Sequence, residues 1–127
     1  MPAPGLNLSL SILPLDPKNQ YQVIKFHGEL DKAGLESIRE KIDDIVDHFD
    51  GQYLAFDLSE LDFINSEGIG YLTTIHSHLI KNNKNLVFIQ AKPNVKDVFA
   101  VIGIFSIINY FDSLSDFVNT LSAEVKS

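Results

Sequence analysis

Two short runs, Tyr53-Leu54-Ala55-Phe56 and Leu86-Val87-Phe88-Ile89, are apolar at nearly every position. A strand of this kind leaves neither face for water, so it suits a sheet covered on both sides, as parallel sheets are. Parallel neighbours cannot be joined by a tight turn; each connection needs a crossover, usually a helix. The flanking segments supply such helices. Leu35, Ile38, Ile42, Ile45, Val46 and Phe49 recur at helical spacing with charged residues between them, and Asp50-Gly51 ends that stretch. The second helix places Ile69, Leu72, Leu79 and Ile80 on one side and stops at Lys81-Asn82-Asn83-Lys84-Asn85. A third starts with Pro93 in its first turn, turns Val95, Val98, Phe99 and Ile102 inward, and stops at Gly103. Ser113 opens a fourth, with Leu114, Phe117, Val118 and Leu121 inward. Asp116, three residues on, resembles a capping box with Asp in place of Glu.

Ahead of these elements, Leu6, Leu8, Leu10 and Ile12 alternate with Asn7, Ser9 and Ser11. A period of two predicts a strand with one wet face. Pro14-Leu15-Asp16-Pro17-Lys18-Asn19 has turn composition. Tyr21 to His27 reads as a second strand, so the two form a hairpin. Ser106-Ile107-Ile108-Asn109 reads as a last short strand. The expected order is ββαβαβαβα. This is a single α/β domain: a mainly parallel five-stranded sheet, an N-terminal antiparallel hairpin strand, four helices and right-handed crossovers. The domain is expected over residues 6–125, after a loose Pro-rich lead-in at 1–5. A chain of 127 residues is long enough for one core.

The formal net charge of -7 argues against nucleic acid or an anionic membrane as partner, because both require a concentrated basic surface. With no cysteine, disulfide and thiolate chemistry are excluded. Met1-Pro2-Ala3-Pro4-Gly5 carries no basic stretch ahead of apolar residues, unlike a signal peptide. The most apolar run, Val98 to Phe111, is interrupted by Gly103, Ser106 and Asn109 and falls short of the ~20 residues that span a bilayer. No membrane insertion and a cytoplasmic location are expected.

In sheets of this type, sites gather where strands hand over to helices. Three stretches fall there: Gly28-Glu29-Leu30-Asp31, Asp57 to Gly70, and Ala91-Lys92-Pro93. Ser66 lies at the start of the second helix. Its hydroxyl has two readings. It can cap an orphan backbone N–H, worth about 1 kcal/mol. It can also carry a phosphate, which the free N–H groups and helix dipole favour. Gly68 and Gly70 remove side chains from the first turn, and Asp57, Asp62 and Glu67 would repel an added phosphate outward. An enzyme reading finds less support. Ser66 lacks a Gly-x-Ser-x-Gly elbow, and Gly68-Ile69-Gly70 lacks the Lys-Ser/Thr of a phosphate loop. His76 and His78 diverge on a helix, His27 and His48 are isolated, and Lys92 reads as a solvated loop residue.

Taken in order, Gly28-Glu29-Leu30-Asp31, Asp57-Leu58-Ser59 and Phe63-Ile64-Asn65-Ser66-Glu67-Gly68-Ile69-Gly70 resemble the STAS domain of bacterial anti-sigma factor antagonists. The resemblance covers essentially the whole chain beyond the lead-in and implies the same fold. It also implies a partner, an anti-sigma factor that is a serine kinase of the GHKL ATPase type. Unphosphorylated antagonist captures that kinase and frees a sigma factor; phosphorylation of the serine matching Ser66 releases it. A PP2C-type phosphatase resets the switch. The expected contact residues are Gly28, Glu29, Asp31, Asp57, Ser59, Asp62, Asn65, Glu67, Gly68 and Gly70, with no metal, cofactor or catalysis. Where the family usually has Asp-Ser-Ser-Gly, this chain has Asn65-Ser66-Glu67-Gly68. One alternative is a STAS interaction module of another partner-switching pathway. A second is a receiver domain with Asp57 as phospho-acceptor and Glu29 and Asp31 near Mg²⁺. The receiver reading lacks the paired acids that should follow a first strand and conflicts with the opening hairpin.

Overall fold

The computed structural model describes residues 8–126, with side chains as far as Leu121. The lead-in at 1–5 and the expected start of the first strand at Leu6 lie outside the described residues. The elements are β1 (Leu8–Ile12), β2 (Tyr21–Leu30), α1 (Lys32–Asp47), β3 (Tyr53–Ile64), α2 (Ser66–Lys81), β4 (Asn85–Ile89), α3 (Pro93–Ile102), β5 (Asn109–Phe111) and α4 (Leu114–Lys126). The five strands lie side by side in chain order. β1 runs antiparallel to β2, and every later neighbour is parallel. This is the expected mixed α/β sheet with four helices.

Three boundaries moved. β2 and β3 both outrun the apolar cores that announced them, to Leu30 and Ile64, and pair along that length. Glu29, Asp57, Ser59 and Asp62 are therefore strand residues and not loop residues. The polar positions hid the strand because the β2–β3 ladder shifts register between Lys25 and His27 and again between Gly28 and Glu29, which breaks the alternation. The last strand begins at Asn109, three residues later than its expected start at Ser106. A short 3-10 turn, Ile104–Ser106, holds the intervening chain, and the Ile108 N–H donates to the Ile104 carbonyl at 3.0 Å. Ile104 and Ile108 are both buried, and a spacing of four is helical.

The helices sort by sheet face. α1, α2 and α3 bury their stripes with Leu8, Ile24, Phe26, Leu54, Phe56 and Phe88 in one large cluster. α4 covers the other face through Phe117 and Leu121, against Val23, Ala55, Val87 and Ile89. The buried stripe of α2 is Gly68, Tyr71, Leu72, Ile75 and Leu79. Ile80 and Ile102, both expected inward, are exposed instead. Ile80 falls off that stripe, and the α3 stripe narrows to Val95 and Phe99. A row of rings crosses the large cluster: Phe26–Phe56 at 4.9 Å, Phe56–Phe88 at 6.4 Å and Phe88–Phe99 at 5.2 Å between centroids. Phe88 is fully buried in the middle of it. Phe88→Ala is expected to lower stability by about 3–5 kcal/mol, read as a drop in the urea midpoint with unchanged slope.

Candidate functional site

The register pairs Glu29 with Phe63 and Leu30 with Ile64, so β2 and β3 end together. Each strand then passes through one extended Asx residue into a helix. The Asp31 Oδ1 accepts the Gly34 N–H at 2.8 Å, and the Asn65 Oδ1 accepts the Gly68 N–H at 3.1 Å. The α2 cap is therefore Asn65, one residue before the serine considered for that role. Ser66 is the first helical residue, and the Asn65 cap leaves its hydroxyl unused by the fold. It is exposed, and no described residue engages its hydroxyl. Asn65 supplies its amide oxygen where the family pattern has a carboxylate; one acceptor is all the cap requires.

The two glycines after Ser66 have different causes. A Cβ on Gly68 would lie 2.4 Å from the Leu30 carbonyl oxygen and 2.8 Å from the Leu30 Cγ. Gly68 is thus required by the chain's own packing, and its burial removes it from direct contact with a partner. Gly70 has nothing within 4 Å of its Cβ position and stays open to an approaching molecule. Gly28 takes φ 115° at the second register shift of the β2–β3 ladder, a conformation that glycine adopts without a Cβ clash.

The acids also separate. Asp57 is only 8% exposed, and its Oδ1 accepts the Ser59 N–H at 2.9 Å. It supports the strand from within and does not reach a surface contact. Ser59 is half-buried. Asp62 is exposed but forms an ion pair with Lys92, and the Asn94 side chain donates to the Asp62 carbonyl at 2.8 Å. That hydrogen bond to Asp62 is the main cause raising the Lys92 pKa. Lys92, read from the sequence as a solvated loop residue, instead ties the start of α3 to β3. Of the three acids expected around Ser66, Glu67 alone is exposed and without an ion pair among the described residues.

Beside Glu67, a groove of about 420 Å³ runs between α1 and α2, lined by Leu35, Arg39, Asp43, Tyr71 and Thr74. The Tyr71 hydroxyl donates to Asp43 at 2.7 Å, and burial followed by this bond pushes its pKa up. The Arg39 guanidinium stands 5.5 Å from the Tyr71 ring centroid. Phe63, 46% exposed near the end of β3 and three positions before Ser66, is the aromatic that sequence reasoning missed. Its signal was a large apolar residue breaking the three-residue spacing of the buried Leu58, Leu61 and Ile64. Among the described residues, no group of three or more His, Cys, Asp or Glu could hold a metal ion.

The STAS domain family model matches residues 15–117, from the β1–β2 turn into the first turn of α4. The chain belongs to the STAS domain family. The structure of an anti-sigma factor antagonist from Mycobacterium paratuberculosis superposes with a TM-score of 0.79 at 19% identity, covering 96% of this chain and 99% of that one. The unphosphorylated antagonist SpoIIAA gives 0.73 at 19%, over 91% of this chain and 97% of that one. The phosphorylated form of the Bacillus protein gives 0.67 at 18%, over 89% and 99%. The transporter SLC26A9 also contains the fold, at TM-score 0.72 and 16% identity, over 94% of this chain but 24% of its own length. At these identities the likenesses establish the STAS fold.

The division between Asn65 and Ser66 gives a direct test on this STAS domain. Asn65→Ala is expected to cost about 1 kcal/mol, while Ser66→Ala leaves the melting temperature nearly unchanged. Gly68→Ala is expected to destabilise by about 1–3 kcal/mol through overpacking. Gly70→Ala, with open space at its Cβ, is expected to be neutral or to stabilise by up to about 1 kcal/mol. Thermal or urea unfolding of the four variants reads the pattern.

Proposed function

We propose that the chain is an anti-sigma factor antagonist switched by phosphorylation of Ser66. The observation that carries this reading is an exposed hydroxyl at the first residue of α2, left unused by the fold because Asn65 does the capping. A phosphate there meets the positive end of the helix dipole and first-turn amides, so the domain itself can accommodate it. Its added charge, about -1.5 to -2, joins exposed Glu67 and changes what the face presents outward. Structures of SpoIIAA in its unphosphorylated and phosphorylated forms support the same chemistry on this fold.

In this reading the unphosphorylated face binds an anti-sigma factor that is also a serine kinase of the GHKL type, which frees a sigma factor. ATP-dependent phosphorylation of Ser66 ends the complex, and a PP2C-type phosphatase restores it. The antagonist has no catalysis of its own. The contact face comprises Glu29, Asp62, Asn65, Glu67 and Gly70, with Phe63 as its apolar anchor. Gly28, Asp31, Asp57, Ser59 and Gly68 hold the backbone behind it.

Ser66→Ala is expected to fold normally, to take no phosphate from the cognate kinase and to stay bound in its presence with ATP. Ser66→Asp is expected to weaken binding, and Phe63→Ala to weaken it by about 10-fold or more. Phosphate incorporation followed by mass spectrometry, with binding by calorimetry, reads each outcome. Full phosphorylation of the Ser66→Ala variant would sink the acceptor assignment. Binding to a partner without kinase activity would instead place the domain in another partner-switching pathway.

A further inference from the structure

Ser66 lies at the edge where the parallel strands end. At the opposite edge, Tyr53, Asn85 and Asn109 begin β3, β4 and β5. β5 pairs with β4 only from Val87 onward, so Asn85 and Leu86 have no strand beside them on that side. A hollow of about 490 Å³ opens at this gap. The C-terminal half of α2 borders it through His76 and Ile80, and α4 borders it through Phe117 and Thr120. Sites for small molecules typically measure about 300–1,000 Å³, and a single water occupies about 30 Å³.

The lining selects the chemistry of an occupant. Asn85, Asn109, Thr120 and His76 bring amide, hydroxyl and imidazole groups to the hollow, while Tyr53, Phe111 and Phe117 bring rings. The rings form one wall, because Phe117 meets Tyr53 at 5.6 Å and Phe111 at 5.3 Å between centroids. Among the described residues, no hydrogen bond engages the side-chain amides of Asn85 and Asn109. None fixes the His76 ring either, and its Nδ1 is buried without a partner. Such groups are normally satisfied, so their convergence on one hollow calls for an explanation. The chain carries a net charge of -7, yet none of the described lining residues is Asp, Glu, Lys or Arg. A charged ligand would therefore lose water and gain no counter-charge. A purely aliphatic one would leave the amides without partners. A flat ring with a polar, uncharged edge suits both walls.

We propose that this hollow is a binding site for a small uncharged aromatic ligand, with its ring against Phe117 and its polar edge on the Asn85 and Asn109 amides. β3 is twelve residues long, so at about 3.3 Å per residue its two ends stand on the order of 35–40 Å apart. The site is thus separate from the Ser66 face and does not depend on phosphorylation.

Benzamide, an uncharged ring with an amide edge, is the probe. Benzoate keeps its shape and adds a charge; cyclohexanecarboxamide keeps the amide and loses the flat ring. Two-dimensional amide NMR of the full chain reads binding up to about 20 mM, since a ligand of this size is expected to dissociate with a constant on the order of 1 mM. Benzamide should shift the signals of His76, Asn85, Asn109 and Thr120 saturably, and the other two compounds should bind about 5-fold or more weakly. Asn109→Leu and Ile107→Trp, both at exposed positions, should keep the wild-type melting curve. The first removes one amide and the second places a larger ring at the opening, and each should weaken benzamide by about 5-fold or more. Absence of saturable shifts, or shifts that map away from the hollow, overturns the proposal. So does benzoate or cyclohexanecarboxamide matching benzamide, or binding that neither variant weakens.

Discussion

The paired ends of β2 and β3 determine most of what this STAS domain can do. Leu30 and Ile64 lie side by side, the Asn65 N–H donates to the Leu30 carbonyl at 3.3 Å, and Gly68 rests against that same carbonyl. One carbonyl of β2 therefore positions the first turn of α2. The α1 turn repeats the arrangement, where a Cβ on Gly34 would lie 2.1 Å from the Glu29 oxygen. Two helices start side by side from two paired strands, each through a single Asx residue. A shift of one residue in this register would move every cap and every buried side chain beyond it.

That anchoring separates the residues that hold the helix start from the hydroxyl the fold leaves unused. Asn65 and Gly68 hold the helix start, and Ser66 stands between them without a structural task. A group added to Ser66 then acts on the outer surface and leaves the core alone. The same separation accounts for the departure at Asn65. The cap requires an oxygen acceptor, which an amide provides, so the charge of an aspartate is dispensable for the fold. Glu67 is exposed and needs no space made for it. Lys92, at the α3 cap, and Asn94, in its first turn, extend the anchoring to α3 by holding Asp62.

The molecule has two ends of different character. At the strand C-termini the surface is polar, with acids, helix starts and one exposed phenylalanine. At the strand N-termini a cavity is lined by amide, hydroxyl and imidazole side chains, Asn85, Asn109, Thr120 and His76, with Ile80 and Ile107 exposed beside them. The parallel strands β2 to β5 create this polarity, because the helices that follow them start at one edge and these strands start at the other; antiparallel β1 is the exception.

Local pattern was enough for the fold class, the element order, the inward residues of α1 and the place of Ser66. Continuous apolar runs, helical spacing and turn residues are short-range signals, and the physics that reads them is short-range too. The full length of β2 and β3 was hidden because register shifts interrupt the alternation. The cap was placed one residue late because Asn and Ser are both strong caps, and only the packing of Gly68 on Leu30 selects between them. The burial of Asp57, the Lys92–Asp62 pair and the exposure of Phe63, Ile80 and Ile102 all depend on segments far apart in the chain. The amino-acid order by itself determined which residues can form each element. Which oxygen, cation or apolar side chain each of them meets was decided by tertiary packing, because those contacts exist only once distant strands are in register.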